Sequence, residues 1–536
     1  MSGGFVFRLA MLACAWVSAT ITPGWSQSEP AKDAPAPIFD VRKFGAAGDG
    51  TTLDTVAIQK AIDAASAAGG GTVLLPPGSY LSATIRLKSH VVLKVDKGAT
   101  LLGSTDAKDY SRLGDFPGGP TAKDSPKFGF FLGLILADQQ EGIGICGGGV
   151  IDGQGKLLVA GIKTTIGPGK RPYAGEGERP TIIGFERCRN VTVRDITLRE
   201  GACWVQHYRD CDDVRIEGVT VRTMATITND GLDLDGCSRV VVRNCDIDSE
   251  DDAICLKSTT RACTDVLIEN CRARSTTNAL KFGTASHVGF KNITIRNLEI
   301  WDTYMSGIAL ELVDGGVMEN VTISNVRISE CANPLFIRLG HRNTEGQVGA
   351  INNVVISDVT ANMPLRDPAT MNKFPPNWRH KCRSLVTASI TGLPDHPVRG
   401  ITLRNVTFTY EGAGKTKEDD MKRFATPAGV PECAEHYPEA HMFGILPAWA
   451  MYCRHAAGIR FEKVAFVRKQ ADDRPALSFD DVKNLLLQRV TVQPAGSAPT
   501  AIFHQVEGLE IKDSTLDASA IRHIDAQGNP VEAKTP

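Results

Sequence analysis

The 536-residue sequence lacks features that are typical of several other kinds of protein. It has no excess of charge of either sign, because 59 Lys and Arg residues balance 61 Asp and Glu residues, for a net charge of -2. Nucleic-acid binding relies on a positive surface, so we expect no nucleic-acid partner. No CxxC pair or Cys/His cluster has the spacing of a zinc site, and we expect neither a metal nor a cofactor.

Long apolar runs are also missing. The run "LAMLACAWVSA" at residues 9–19 follows Arg8 and is too short to span a bilayer. It is typical of a secretory signal peptide, which we place at residues 1–26, although cleavage after Ala19 also fits. The polar, proline-containing residues 27–37 are expected to form a flexible leader. We therefore expect a secreted or periplasmic protein, without membrane attachment once the signal is removed.

Cysteine is not scarce, since the chain has 14, and one of them, Cys14, lies in the signal. An exported protein can pair cysteines in disulfides. Many of these cysteines, however, recur at one position of an internal repeat, and a column of buried thiols explains them equally well. We expect at most one or two disulfides.

The repeat itself shows no helical periodicity. The phrase "CRNVTVRDITL" at residue 188 recurs as "CDDVRIEGVTV" at 211 and "CSRVVVRNCDI" at 237, and it continues to "VEGLEIKDSTL" at 506. The steps in the middle of the chain are 23, 26, 26, 27 and 28 residues. Each copy is an alternating apolar strand, an Asn, Asp or Gly bend, and a second strand.

A repeat of this length without helical periodicity predicts an all-β fold, a parallel β-helix in which each repeat is one coil. We expect a single catalytic domain at residues 38–530, with loops inserted near 156–178, 362–397 and 410–455. Long loops on a rigid scaffold usually shape a binding site. An amphipathic helix at about 54–68 is expected to cap the N-terminal end of the solenoid.

Five successive strands carry the most charged residues, and their apolar positions align one coil apart. The aligned strands are "DGLDLD" from Asp230, "DAICLK" from Asp252, "NALKFG" from Asn278, "SGIALE" from Ser306 and "NPLFIR" from Asn333. Because side chains alternate across a strand, two columns face outward. They read Asp233, Cys255, Lys281, Ala309, Phe336 and Asp235, Lys257, Gly283, Glu311, Arg338. In the second column, Asp235 can pair with Lys257 and Glu311 with Arg338; alternatively, these four residues form the wall of a sugar-binding groove.

Three aspartates precede these strands. Asp230 is expected to stack on Asp252, and Asp251 sits beside Asp252 at the bend. Strands of adjacent coils lie about 4.8 Å apart, so the three carboxylates should meet within about one coil. Calcium would prefer carboxylates mixed with carbonyl ligands. The alternative that we favour is acid–base chemistry, in which crowding raises the pKa of one carboxyl group so that it holds a proton.

At these residues the sequence resembles glycoside hydrolase family 28, the polygalacturonase family. Members carry the motifs Asn-Thr-Asp, Gly-Asp-Asp, Gly-His-Gly and Arg-Ile-Lys on successive coils of a right-handed parallel β-helix. The stretches "GGGVIDGQG" from Gly147, "RPTIIGFERCRNVTV" from Arg179 and "CWVQHY" from Cys203 are also similar to the family. The resemblance implies that Asp251 is the general acid and that Asp230 and Asp252 hold and deprotonate the attacking water. It further implies hydrolysis with inversion.

The chain departs from the family motifs at several positions. Thr228 stands in place of the Asn of the first motif, Glu250 replaces the Gly before the Asp pair, and Asn278 occupies the position of the His. The cations of Arg-Ile-Lys are replaced by Ala309 and Glu311. In the family those cations engage the carboxylate of galacturonic acid, so their loss argues against homogalacturonan as the substrate.

The predicted enzyme is a secreted, polygalacturonase-like glycoside hydrolase that acts on a pectic, plant or algal polysaccharide or oligosaccharide, and we expect a monomer. Besides the three aspartates, we predict substrate-binding residues near them, including a Trp-x-x-His that matches the family. These residues are Trp204, His207, Lys257, Asn278, Lys281, Glu311 and Arg338. A polysaccharide lyase on the same scaffold and a non-catalytic carbohydrate-binding solenoid remain alternatives.

Overall fold

The structure is a computed structural model that describes residues 37–115, 132–161, 179–365, 386–412, 429–493, 499–516 and 521–532. The predicted signal peptide and nearly all of the predicted leader lie outside these residues. Among the described residues, no helix is both long enough and apolar enough to span a bilayer.

Nearly all strands pair in parallel, and they form three stacks that run along the chain, which confirms the predicted parallel β-helix. The first stack, which we call the groove sheet, comprises Ile85–Arg86, Leu132–Asp138, Thr181–Glu186, Gln206–Arg209, Leu232–Asp235, Ile254–Ser258, Leu280–Ser286, Ser306–Leu312, Asn333–Leu339, Ala388–Thr391, the starts of Met451–Arg468, Leu477–Gln488 and Ala501–Lys512, and Ile521–Ile524. Ser111–Arg112 pairs antiparallel with Leu132–Asp138.

The other two stacks hold the repeated phrases. One contains Ile38–Asp40, Gly71–Leu75, Val91–Val95, Gly144–Cys146, Arg189–Arg194, Asp212–Glu217 and Ser238–Arg243. The other contains Asp49–Leu53, Gly78–Ser82, Ala99–Gly103, Val150–Asp152, Thr197–Arg199, Thr220–Thr223, Asp246–Ser249 and Thr491–Val492. Longer strands run through the bend between these two stacks, namely Cys263–Ser275, Gly289–Ile300, Val317–Ile328, Ala350–Met363 and Val398–Tyr410.

The bend inside each repeat has left-handed backbone, as its sequence predicts. In successive coils the bend residues include Asp195, Gly218, Asn244, Asn270 and Asn297, all with φ between 49° and 63°. Asn, Asp and Gly tolerate this conformation better than other residues. The Asn amides also bond from coil to coil, since Asn297 Nδ2 donates to Asn270 Oδ1 at 2.8 Å and Asn325 Nδ2 donates to Asn297 Oδ1 at 2.7 Å. These contacts hold neighbouring coils in register.

A continuous apolar core fills the solenoid. Inward residues of the groove sheet such as Leu232, Leu234, Leu256 and Leu280 are fully buried, as the alignment predicts. The cysteines among the described residues are all free, so no disulfide forms there. Cys211 lies beside Cys188 and Cys237, and burial, followed by these neighbouring thiols, raises its pKa well above the ordinary value. The predicted column of buried thiols is confirmed.

The predicted helix at the N-terminal end is present as Thr55–Ala67. It buries Ile58, Ala61, Ile62 and Ala65, and it contacts the strands Ile38–Asp40 and Gly71–Leu75. The remaining helices are short: the α-helix Gly155–Gly161 and the 3₁₀ helices Val41–Phe44, Ala107–Asp109 and Leu113–Asp115.

Two of the predicted loop insertions contain part of the groove sheet. Ala388–Thr391 lies within the insertion predicted at 362–397, and Met451–Arg468 begins within that predicted at 410–455. Their outward residues are Ser389 and Thr391 in the first strand and Tyr452 and Arg454 in the second, in register with Phe336 and Arg338. The long segments inserted before both strands break the one-coil spacing that marks the earlier strands, so the alignment did not reach them. Residues 162–178 of the first predicted insertion lie outside the described residues.

Candidate active site

The three predicted acids come together where two coils of the groove sheet begin. Asp230 precedes the strand Leu232–Asp235, and Asp251 and Asp252 precede Ile254–Ser258. Backbone bonds stack the two bends, because Gly231 N donates to the carbonyl of Asp252 at 2.9 Å and Asp251 N donates to that of Asn229 at 3.3 Å. A carboxylate oxygen of Asp230 lies within 4.8 Å of one from Asp252. The predicted stacking of the aspartates is therefore present.

Asp252 is the most strongly held of the three. It is buried, and its Oδ2 lies 3.0 Å from Lys281 Nζ, while its Oδ1 accepts bonds from Asn278 Nδ2 at 2.9 Å and Thr277 Oγ1 at 3.0 Å. Burial alone would raise the pKa of Asp252, but Lys281 and Lys257 outweigh it and lower the pKa. Asp252 is therefore a charged carboxylate near neutral pH.

Asp230 has the opposite electrostatic character. It is equally buried, and the contact between its Oδ2 and Lys257 Nζ is longer, at 3.5 Å. Burial and the nearby charge of Asp233 raise its pKa well above the ordinary value, with smaller contributions from Asp251 and Asp252. Burial, and after it the neighbouring acids, therefore shift the pKa of Asp230 upward, whereas the pKa of Asp252 is shifted downward.

Asp251 is more exposed than the other two aspartates, being half-buried. Its Oδ1 accepts a bond from the backbone N of Asp252 at 3.0 Å and one from Thr277 Oγ1 at 2.8 Å. Its carbonyl accepts bonds from Ser249 Oγ and Ser275 Oγ, each at 2.7 Å. The side-chain bonds of Asp251 thus go to Oδ1, and the two serine bonds hold its backbone.

The ion pairs predicted along the second outward column are wrong. Lys257 contacts Asp230 and Asp233, the latter at 3.2 Å, while Asp235 accepts bonds from the N and Oγ1 of Thr259, both at 2.7 Å. Lys257 is long enough to reach past its cross-strand neighbour to a site with more negative charge. The register also shifts after Leu256, so that Ser258 pairs with Ser286, and Gly283 does not pair with Lys257.

Two predicted substrate-binding residues lie beneath the surface instead. Glu311 is completely buried, and its Oε2 is 3.7 Å from Lys281 Nζ, rather than paired with Arg338. Burial raises the pKa of Glu311 to about 8. Arg338 is also buried and donates to the carbonyls of Gly392, Glu432 and Cys433 at 3.2, 2.6 and 3.1 Å. Neither side chain is exposed to a substrate.

Trp204 and His207 lie on the N-terminal side of the aspartates. Their rings pack edge to face, with centroids 5.2 Å apart, and Lys257 Nζ sits 4.4 Å from the centroid of the Trp204 ring. His207 Nε2 is 3.6 Å from Asp235 Oδ2. Trp204 and His207 are as buried as the aspartates, and they contact Lys257 and Asp235 from the preceding coil.

Three contributors to the site were not predicted as site residues. Asp233 anchors Lys257 from a fully buried position, and Thr277 bonds to both Asp251 and Asp252. Tyr437 Oη lies 3.3 Å from Lys281 Nζ, although the two residues are far apart in sequence. The outward column already contained Asp233, whereas no sequence signal marked Tyr437, because its position depends on the packing of a long segment.

That segment, residues 429–450, covers the C-terminal half of the groove sheet, and we call it the covering segment. Its Val430, Ala440, Phe443 and Leu446 form an apolar cluster with the outward residues Ala309, Phe336 and Tyr452. The first outward column therefore changes after Lys281 to Ala309 and Phe336, which are apolar and lie under the covering segment.

Oxygen and sulfur atoms of Asp230, Asp252 and Cys255 lie close enough together for one cation. Two ammonium groups already occupy this neighbourhood, since Lys257 contacts Asp230 and Lys281 contacts Asp252. The lysines supply the positive charge that a metal ion would bring, and the arrangement fits a metal poorly.

Three aspartates at adjacent coils of a groove, on a right-handed parallel β-helix, define the class of pectin-lyase-like glycoside hydrolases. The profile of the family described as "Glycosyl hydrolases family 28" matches residues 68–372, which is more than half of the chain. The protein belongs to this polygalacturonase-like family, as the resemblance of its motifs predicts.

The chain is similar to polygalacturonases at about a quarter sequence identity. A "Probable polygalacturonase" of Vitis vinifera is 26% identical over 435 residues, which cover 76% of this chain and 82% of the relative. An "Endo-polygalacturonase" of Pectobacterium carotovorum subsp. carotovorum is 25% identical over 328 residues, covering 57% and 77%. Among solved structures, an exopolygalacturonase from Thermotoga maritima superposes with a TM-score of 0.57 at 20% identity, covering 70% of this chain and 88% of the other. The last likeness shows the fold alone.

Proposed function

We propose that the protein hydrolyses O-glycosidic bonds of a polysaccharide or oligosaccharide with inversion, using Asp230, Asp251 and Asp252. The observation that carries this proposal is the pair Asp230 and Asp252, whose oxygens lie within 4.8 Å while their pKa values are shifted in opposite directions. Carboxyl groups whose surroundings separate their pKa values are typical of acid–base catalysis.

In the proposed reaction, Asp230 and Asp252 hold one water between them. A water that makes hydrogen bonds of about 2.8 Å to two oxygens can bridge oxygens up to about 5.6 Å apart, so the separation of Asp230 and Asp252 suits it. The charged carboxylate of Asp252 accepts a proton from the water as it attacks the anomeric carbon. Asp230, whose pKa is raised, holds the water from the other side and fixes its orientation.

Asp251 is the proposed general acid, which protonates the leaving oxygen as the glycosidic bond breaks. Its hydrogen bonds from Asp252 N and Thr277 both go to Oδ1, so the transferred proton is placed on Oδ2. Attack of water on one face and protonation of the leaving group on the other invert the anomeric configuration.

The proposed substrate is a neutral glycan, or a pectic or algal glycan decorated differently from homogalacturonan. Ala309 and Glu311 stand where the family motif carries cations, and Glu311 is buried. Lys257 and Lys281 are both engaged with aspartates of the site. A substrate carboxylate would therefore lack the clamp of two cations that the family motif provides.

We also propose that the protein is exported and acts as a monomer. Residues 1–26 have the charge and apolar run of a signal peptide. Sequencing the N-terminus of protein from the exported fraction, and measuring its mass in solution, tests both points; an intact Met1 in that fraction would contradict cleavage.

The decisive experiment screens the purified protein against pectic and algal glycans and follows new reducing ends. We expect hydrolysis that survives EDTA, initial products of inverted configuration by NMR, and loss of activity in Asp251→Asn. A product that absorbs in the ultraviolet through an unsaturated sugar would instead indicate a lyase. Glycan binding without bond cleavage would indicate a non-catalytic carbohydrate-binding protein.

A further inference from the structure

The floor of the groove changes character directly after the acids. Along the groove sheet, Lys281 pairs with Ala309, and Ala309 pairs with Phe336, one coil apart at each step. Ala309 and Phe336 are completely buried beneath the covering segment. A sugar chain that continued past Lys281 toward the C-terminal coils would have to occupy the space that Phe443 and Val430 fill.

The covering segment is held to the solenoid by buried guanidinium groups. Arg338 donates to the carbonyls of Glu432 and Cys433, and Arg454 donates to that of Val430 at 2.8 Å. Arg454 Nη2 also pairs with Glu432 Oε1 at 2.6 Å, and Glu432 is 3.2 Å from His455 Nε2. Hydrogen bonds from charged donors are stronger than neutral ones, and burial strengthens them further. The segment is therefore a fixed wall.

Tyr437 connects this wall to the acids through Lys281. Its ring centroid is 5.4 Å from Lys281 Nζ and its hydroxyl is 3.3 Å away, while Lys281 itself lies 3.0 Å from Asp252. Tyr437 is 51% exposed, unlike the buried residues around it, and the guanidinium carbon of Arg342 lies 5.5 Å from its ring centroid. An exposed aromatic ring at the end of a groove offers a flat apolar surface to a sugar ring.

We infer that the groove is a pocket closed at Tyr437, and that the protein removes sugar units from one end of a glycan chain instead of cutting within it. This inference rests on the proposed hydrolysis. The sugar that lies against Tyr437 is the terminal unit, and the remainder of the chain leaves the pocket away from the covering segment.

Binding by the inactive variant Asp251→Asn tests the pocket without requiring turnover. Oligosaccharides from the panel would be offered unmodified, with a bulky label on the reducing end, or with a cap on the non-reducing end. We expect at least one of the two modifications to weaken binding by at least about tenfold, because the blocked end cannot enter a closed pocket. Equal binding of all three forms would overturn the inference, whether or not the wild type is a hydrolase.

The product pattern of the wild type provides the second measurement. Release of one short product from the earliest time points, with little fall in the viscosity of the polymer, supports the inference. An early ladder of oligosaccharides with a rapid fall in viscosity overturns it and leaves the proposed hydrolysis intact. A wild type that neither binds nor cleaves any glycan of the panel overturns both proposals.

Two variants of Tyr437 test whether its ring is part of the binding surface. Loss of the ring in Tyr437→Ala should raise KM by about tenfold, and the removal of the hydroxyl alone in Tyr437→Phe should raise it less. Circular dichroism serves as the folding control. Both variants should fold normally because Tyr437 is half exposed. Equal KM values for Tyr437→Ala and the wild type would contradict a role for the ring.

Discussion

The two halves of the groove sheet share one backbone but differ in chemistry. Both continue the same cross-strand columns. The coils from Asp230 to Lys281 hold buried acids and ammonium groups, whereas Ala309, Phe336 and Tyr452 of the later coils pack under the covering segment. The stacked strands therefore set only the spacing between side chains of successive coils. The outward residues, and the segments that cover them, decide whether a coil carries out chemistry or closes the groove.

The largest effect should come from the polar half. Replacing Asp251 with Asn removes the proposed general acid while the amide oxygen can still accept the bonds from Asp252 N and Thr277. We expect kcat to fall by about 10³-fold, within the usual range for general acid catalysis.

The matched control for this prediction is Asp248→Asn, on the preceding strand Asp246–Ser249, where the carboxylate pairs with Arg274 at 3.3 Å. It should retain most of the activity. Equal losses in the two variants would mean that charge in this region, rather than a specific acid, matters.

A substitution in the half under the covering segment should lower the stability of the protein. In Arg338→Met, the carbonyls of Gly392, Glu432 and Cys433 lose their donor in a buried place. Each unpaired buried acceptor costs about 1–3 kcal/mol, and relaxation recovers part of this, so we expect the free energy of unfolding to fall by about 2–4 kcal/mol. Chemical denaturation measures the loss, and limited proteolysis should detect cleavage within the covering segment.

The exposed pair of Arg404 and Glu462, with a contact of 2.9 Å, provides the control for Arg338. Arg404→Met should change stability by less than about 0.5 kcal/mol, because exposed ion pairs contribute little. If the two variants are equally stable, the guanidinium of Arg338 does not anchor the segment.

Lys281 lies at the boundary between the halves, and its removal should change the pH dependence of activity. Lys281 and Lys257 lower the pKa of Asp252 against the opposing effect of burial. In Lys281→Met that pKa should rise, so Asp252 takes up a proton at higher pH and the acidic limb of kcat/KM moves upward by about 1–2 units. Lys281→Arg keeps the charge and should leave the limb near its wild-type position; an unmoved limb in Lys281→Met would contradict the assignment of Asp252 as the base.

The smallest effect concerns Glu311. Its pKa is raised to about 8 in the folded protein, so the folded state binds its proton more tightly than the unfolded state does. The contribution of Glu311 to stability is thus present in full below its ordinary pKa and is lost as the pH rises through about 8. Compared with the wild type, Glu311→Gln should gain about 1–2 kcal/mol between about pH 5 and pH 8.

Denaturation curves of both proteins at the two pH values test the behaviour of Glu311. Glu319→Gln is the control, since Glu319 pairs with Lys291 at 2.6 Å on the exposed face of a neighbouring strand. A difference between Glu311→Gln and the wild type that does not vary with pH would exclude titration of Glu311 in this range.

The coil arrangement was largely predictable from the sequence because its signal is local and repeated. The alternating residues, with Asn, Asp or Gly at most bends, marked the coils from residue 188 onward, and the pairing of Leu232 with Ile254 and of Ile254 with Leu280 follows directly. The meeting of Asp230 with Asp252 is a consequence of that register. The meeting of the two aspartates could therefore be predicted without knowing their side-chain rotamers.

The ion pairs and the closed end of the groove were not predictable in the same way. Cross-strand alignment placed Asp235 beside Lys257, but the flexible Lys side chain reaches the more negative surroundings of Asp230 and Asp233. Tyr437 reaches Lys281 only through the packing of a segment that has no repeat. Such contacts depend on the competition between several partners, which a linear pattern does not contain.

The column of buried thiols means that the solenoid carries its own internal reporters. Cys188, Cys211, Cys237 and Cys263 lie on four consecutive coils, and each is completely buried. A thiol reacts through its thiolate, and burial suppresses both ionisation and access. Alkylation rates at these four positions, resolved by mass spectrometry, would show whether the coils separate one by one or all together when the protein unfolds.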